Sequence, residues 1–300
     1  MHKNFDRGAW WAIVVSDMME DIRSLLMANA VNVPDALHLF ETVWETLLKS
    51  LMKTDFNLFC TRLSAGASAL ACIPLNRPVA CVPKVLLTGE IYVRKDALSR
   101  QNIPDFLAEM GIATICSPVA EWVHYADFLV QKGITGDDMS IMEKIRFRLR
   151  KRIMARYEHR IRSILSRSGL LSSTPLVMQD IIRHAAPYIL PDLTGETILT
   201  VGSSLLEIAS HVCGVIAIGP FGCMPNRLSE AILSKAMQRE DKLQLNPTDH
   251  QLQKTLDTIE ALPFLVIESD GSPFPQLIHA KLEAFCLRAE RLHKRMTSVR

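Results

Sequence analysis

The residue best placed to do chemistry is a cysteine in the string Gly219-Pro220-Phe221-Gly222-Cys223-Met224-Pro225. The apolar run 215–218 ahead of it reads as a buried strand, and residues 226–237 after it read as an amphipathic helix. Cys223 is therefore expected in a tight turn against a helix N-terminus, with Gly222 and Pro225 shaping the turn. Unpaired backbone N–H groups and the positive end of the helix dipole favour a thiolate there, and a thiolate ligates metals or attacks electrophiles. Two further polar turns are expected to close strands: Gly89-Glu90 and Glu268-Ser269-Asp270-Gly271. In open α/β sheets ligands collect beyond the carboxyl ends of the strands. That position makes all three carboxylates candidate catalytic residues: Glu268 and Asp270 could act on a substrate proton, bind a cation or cap the turn before Pro273 and Pro275, and Glu90 could orient a partner loop or accept backbone N–H groups at a helix start.

Taken singly, Cys223 also fits the role of a small buried hydrophobe. The other six cysteines (Cys60, Cys72, Cys81, Cys116, Cys213 and Cys286) are read as core residues. All seven are scattered, odd in number and free of C-x-x-C pairs, which points to a reducing cytoplasm rather than to a disulfide framework or a local zinc knuckle. His211, near a helix end, reads as a structural histidine.

The elements that must position these turns follow from periodicity. Helices are expected over 7–27 and 34–71, with Trp10, Val14, Met18, Ile22 and Leu25 on one face. Pro74, Pro78 and Pro83 break the helical pattern, and Val85-Leu86-Leu87 is the first short strand. A helix over 102–110, stopped by Gly111, leads to a strand at 112–115, which makes one β-α-β unit with parallel strands. After Pro191 the alternation repeats: helix 197–211, strand 215–218, helix 226–237, strand 264–267 and helix 275–294. The expected fold is α/β, with two Rossmann-like lobes holding parallel sheets, an N-terminal helical segment and a long bridging basic helix. The corresponding domains are residues 1–83, 84–190 and 191–300, the last carrying the Cys223 turn.

The length of 300 residues and a hydrophobic content of 48% suffice for a sizeable core. Net charge is only +2, yet residues 140–168 hold ten Lys/Arg against two Glu, giving +8 there and −6 elsewhere. This segment reads as the long helix, with Ile141, Ile145, Leu149, Ile153, Tyr157, Ile161 and Leu165 as a single apolar stripe. Its basic face suits nucleic acid or an acidic partner, but base-reading and aromatic stacking motifs are absent, so a solvated face is expected and nucleic acid is not. The apolar run 9–15 is too short to span a membrane and lacks a cleavage-like site, so neither a membrane partner nor a signal peptide is expected. No P-loop, dinucleotide fingerprint or G-x-S-x-G elbow occurs.

Several segments together resemble one family, the acyl-CoA dehydratase activase-related proteins, kin of the 2-hydroxyacyl-CoA dehydratase subunits. They are Trp11 to Asp17, Val85 to Arg94, Glu121-Trp122, Thr194-Gly195-Glu196, Gly219 to Pro225, and Glu268 to Gly271 with Glu283-Ala284-Phe285. The resemblance is to the C-terminal region of those large proteins. It implies a [4Fe–4S] cluster held by three cysteines, one of them matching Cys223, with Glu268 and Asp270 in the adjoining loop. It also implies low-potential reduction or a dehydratase-type lyase reaction on an acyl-CoA. The family's ATP-binding motifs are absent here, so a partner chain is expected to supply the ATPase and the remaining cysteine ligands. The alternative expectation is a non-catalytic interaction or scaffold protein with the same fold and no cluster; homo-oligomerisation is open under either.

Overall fold

The computed structural model describes residues 3–51, 55–135, 139–171 and 177–299. The chain divides into two compact units: Met1–Val79 with Pro118–Met178, and Ala80–Ser117 with Gln179–Arg300. The first unit is helical and the second contains the sheet. Residues 118–178, which the sequence assigns to an α/β lobe, thus cluster with the N-terminal helices.

In the helical unit, α1 (Lys3–Asn29), α2 (Val33–Leu51), α3 (Phe56–Ala71), α7 (Val119–Lys132) and α8 (Ile141–Leu165) pack around the stripe read from α1, whose Trp10, Val14, Met18, Ile22 and Leu25 are all buried. Asp55 caps α3 by accepting the Asn57 and Leu58 N–H groups. Ser140 and Glu143 close a reciprocal capping box on α8. Asp17 of α1 accepts the Val119 and Ala120 N–H groups at 2.9 and 3.0 Å, satisfying the first turn of α7. Trp11, Phe56 and Tyr157 form an aromatic cluster with centroids 4.4–5.4 Å apart.

Helix α8 departs from the single-stripe expectation. Ile161 is fully buried and Leu165 likewise, whereas Ile141 is 80% exposed, Ile145 53% and Leu149 57%. The cause is geometric: at about 100° per residue, each i+4 step advances about 40° around the axis, so six such steps carry the stripe about two-thirds of a turn. Only its C-terminal part meets α1 and α3, the helix's main packing partners, and the expected bridging role is replaced by packing inside the helical unit. Ile161→Ala is expected to cost about 2–4 kcal/mol in urea unfolding, and Leu149→Gln less than about 0.5 kcal/mol. Equal losses at the two sites would contradict this account of the helix.

The second unit follows the α/β expectation. Strands β1 (Lys84–Gly89), β2 (Ala113–Cys116), β3 (Gly214–Pro220) and β4 (Phe264–Ser269) are all parallel, and they lie in one sheet of order β2-β1-β3-β4. The strands that the sequence divides between two lobes therefore share a single sheet. Two-stranded sheets are marginal in water, and pooling the pairs gives β1 and β3 hydrogen-bonding neighbours on both sides. Between β1 and β2 run α4 (Ile91–Lys95), α5 (Ala97–Arg100) and α6 (Ile103–Glu109); β3 is reached after α9 (Met178–Ala185) and α10 (Glu196–Glu207). Helices α11 (Met224–Ala236), α12 (Arg239–Leu245) and α13 (His250–Thr255) connect β3 to β4, and α14 (Gln276–Val299) packs on both of these strands.

Two buried titratable groups sit away from the carboxyl edge of the sheet. The Lys242 ammonium donates to the Leu205 and Leu206 carbonyls at 2.6 and 3.2 Å, capping the C-terminal end of α10, while burial pulls its pKa down to about 8. At the amino end of β1 and β3, the Cys213 thiol donates to the Lys84 carbonyl at 3.1 Å, and burial pushes its pKa up to about 12. A raised folded-state pKa means that the folded chain retains this proton while the unfolded chain releases it. The resulting stability is complete below about pH 9 and is lost as pH rises from there toward 12. Lys242, with its lowered pKa, acts in the opposite direction over pH 8–10.5, so the contribution of Cys213 is read as a difference: from pH 8 to pH 10.5 the urea midpoint of the parent is expected to decline relative to that of Cys213→Ala, and a constant gap between the two would rule out this contribution.

Candidate functional site

The chain leaves β1 for β2 on one side of the sheet, and β3 later takes the place on the other side of β1. This reversal is a topological switch point, the place beyond the strand ends where ligands collect in open α/β sheets, and the ends of β1 and β3 stay paired there as far as Gly89 and Ile218. Gly89 at the end of β1 pairs with Ile218 of β3, so the Glu90 turn and the Cys223 turn follow adjacent strand ends, with the Asp270 turn one strand further along. The six candidate site residues, Glu90, Gly222, Cys223, Pro225, Glu268 and Asp270, thus lie at one edge of one sheet.

Cys223 is the N-cap of α11, half-exposed, with extended backbone and no side-chain capping bond. Its N–H donates to the Pro220 carbonyl at 3.1 Å, which closes a four-residue turn with Gly222 at φ 72° in the third position, the left-handed conformation a type II turn requires. The Pro225 carbonyl accepts the Thr197 and Ser229 hydroxyls at 3.1 and 2.8 Å and ties the first turn of α11 to α10. Phe221 and Met224, on either side of the Gly222-Cys223 pair, are 75% and 77% exposed.

The three carboxylates are each engaged by the protein. Glu90 accepts the Val93 N–H at 2.8 Å and caps α4. Glu268 accepts the Gly222 N–H at 3.2 Å through one oxygen and the Arg227 guanidinium at 2.7 Å through the other, and Arg227 also pairs with Glu230 at 2.8 Å. Asp270 accepts the Ser272 N–H at 2.9 Å, and that bond holds its carboxyl below the usual range. Glu268 therefore links the β4 end directly to the Cys223 turn, while Glu90 and Asp270 fix their own loops.

Four residues at this edge escaped the sequence reading as site residues. Arg94, 1% exposed, donates to the Gly89 and Ser117 carbonyls and so clasps the ends of β1 and β2. Glu196 accepts the Ile91 N–H at 2.7 Å. Gln101, at φ 49°, bonds the Ser272 carbonyl and the Phe274 N–H and anchors the loop after β4. Asn226, 4% exposed, packs its amide against Gly219, where a Cβ would come within 2.6 Å of its Cγ. Arg94 and Glu196 lie in family-like strings, Val85 to Arg94 and Thr194-Gly195-Glu196, while Gln101 and Asn226 carry no local signal.

Among the described residues, no group of three or more His, Cys, Asp or Glu is placed to hold a metal ion. Cys116, the other cysteine at a strand's carboxyl end, is buried with its thiol on the Arg94 carbonyl; Cys213 lies at the opposite end of the sheet. Thiolate ligation of iron–sulfur clusters draws on several convergent sulfurs, and this edge presents one. Taken alone, its donor set does not fit a complete cluster. Compared with family models, curated proteins and solved structures, the chain matches none. No helix among the described residues is long and apolar enough to cross a membrane.

Proposed function

We propose that this chain is one part of a two-component iron–sulfur protein similar to the 2-hydroxyacyl-CoA dehydratase relatives, with Cys223 as its single contribution to a centre completed by cysteines of another polypeptide. The observation that carries this reading is the Cys223 sulfur itself: half-exposed, without a side-chain capping bond, and held at a helix N-cap after β3, at the topological switch point of the sheet. The exposed Phe221 and Met224 give a partner chain apolar surface to cover on both sides of that sulfur. Gly222, Pro225 and Glu268 serve as positioning residues for the turn. The partner also supplies the ATPase. The chemistry assigned to the assembly is low-potential reduction or acyl-CoA dehydration in a reducing, cytoplasmic setting, which the scattered free cysteines suit.

Alkylation before and after anaerobic loading with iron and sulfide, alone and with any co-encoded chain, tests the proposal. Cys72 and Cys81, both exposed, serve as internal references. Cys223 is expected to lose its reactivity toward iodoacetamide only in the loaded pair, while the references keep theirs. A Cys223 that stays reactive in the loaded pair sinks the proposal. A second reading, a scaffold of the same fold without a cluster, is favoured by the engagement of Glu90, Glu268 and Asp270 in loop and turn contacts. It predicts that Cys223→Ala leaves every redox readout unchanged while partner binding persists.

A further inference from the structure

On the surface of the helical unit, α3 and α8 flank an open cleft of about 490 Å³, with Arg160 and Arg167 both solvent-exposed. Asn57, Thr61, Ser64 and Ser68 recur at steps of four, three and four, which places them on one face of α3. Arg160 of α8 and Arg167, in the short 3₁₀ turn after it, line the opposite wall. Ile164 lines the cleft between them, and Cys60, 7% exposed, adjoins Arg160.

The charge here is uncompensated. No acidic residue lines the cleft, and among the described residues neither Arg160 nor Arg167 has a carboxylate within ion-pair distance. Asp55, two residues before Asn57, uses a carboxylate oxygen to accept the N–H groups of its own helix start. The Thr61 hydroxyl donates to the Asn57 carbonyl, which leaves the Ser64 and Ser68 hydroxyls and the Asn57 amide as donors. Two guanidiniums and three neutral donors exceed what the two oxygens of a carboxylate can accept. They match a tetrahedral dianion, with three terminal oxygens and two charges.

We propose that this cleft binds a small phosphorylated molecule, its phosphate held between Arg160 and Arg167 and hydrogen-bonded by Ser64 and Ser68. The volume leaves room for a compact organic group beside the phosphate, over Ala65 and Ile164. Free phosphate and a phosphate monoester share this chemistry, and the titration separates them.

Isothermal titration of the full chain with adenosine 5′-monophosphate, inorganic phosphate and adenosine tests the proposal, with phosphorus NMR line broadening as a second readout. Adenosine 5′-monophosphate is expected to bind and adenosine not; inorganic phosphate binding as tightly identifies free phosphate as the source. Arg160→Gln and Arg167→Gln are each expected to weaken binding about tenfold, and Ser64→Ala severalfold. Arg152→Gln, exposed on α8 outside the cleft, is expected to leave affinity unchanged. Absence of phosphate binding overturns the proposal. So does an equal loss in Arg152→Gln, or undiminished binding in Arg167→Gln and Ser64→Ala.

Discussion

Gly89→Ala is expected to remove more than about 4 kcal/mol of stability, enough to leave little folded protein at 37 °C. Gly89 has φ 106°, and a Cβ built on it would lie 2.1 Å from the Ile218 oxygen and 2.8 Å from the Ile218 nitrogen. Both atoms belong to the backbone of the neighbouring strand, so no side-chain rotation relieves the clash. The Ile218 oxygen also accepts the Glu90 N–H at 2.9 Å, so pushing the strands apart breaks their pairing at the switch point. Gly222→Ala is the matched control: φ is also positive at 72°, but nothing lies within 4 Å of the added carbon. Its cost should be the conformational one alone, about 1 kcal/mol. Urea denaturation of both variants, followed by circular dichroism, checks the pair. A Gly89→Ala midpoint at or above that of Gly222→Ala would show that the β1–β3 approach is looser than described.

Arg94→Ala is expected to cost about 2–4 kcal/mol, from the loss of charge-assisted hydrogen bonds to buried carbonyls and the cavity left behind. Arg94 is among the largest fully buried side chains, and its guanidinium spans from the Gly89 carbonyl to the Ser117 carbonyl. Its own carbonyl accepts from Arg100 and from the Cys116 thiol, so the residue ties together α5, β2 and the turn after β1. Truncation leaves buried carbonyls without a donor and opens a cavity of side-chain size. Arg94→Lys retains the charge but loses the planar fork, and should recover only part of the loss. Thermal and urea unfolding of the two variants separate charge from geometry; equal stability of Arg94→Ala and the parent protein would contradict the clasp.

Much of this edge was legible in the sequence because its signals are local. Val85-Leu86-Leu87 and the run 215–218 are apolar, and the strands observed there extend each run by one residue before and two after, ending at Gly89 and Pro220. Gly111 ends α6 as read, and Pro225 sits in the first turn of α11. What was not legible depends on residues distant in the chain. Nothing local to β3 states that its neighbour is β1, residues 84–89, rather than a strand of its own lobe. The Arg227–Glu268 pair spans 41 positions and the Glu196–Ile91 bond 105. Helix α4 is too short, at five residues, to show periodicity, and the helix-start role open to Glu90 in the sequence is the one signal that marks it. The exposed half of α8 was misread because an i+4 series looks straight in one dimension and winds in three.

Whether the Cys223 turn is a metal-ligand site is decided most directly by electron paramagnetic resonance on the dithionite-reduced, anaerobically loaded pair of chains, compared with the same pair carrying Cys223→Ala. The turn places no packing demand on this half-exposed side chain, so the variant should fold and bind its partner normally. The account predicts a reduced iron–sulfur signal in the parent pair and its loss or a changed g-tensor in the variant. A signal identical in both, or none in either, contradicts it.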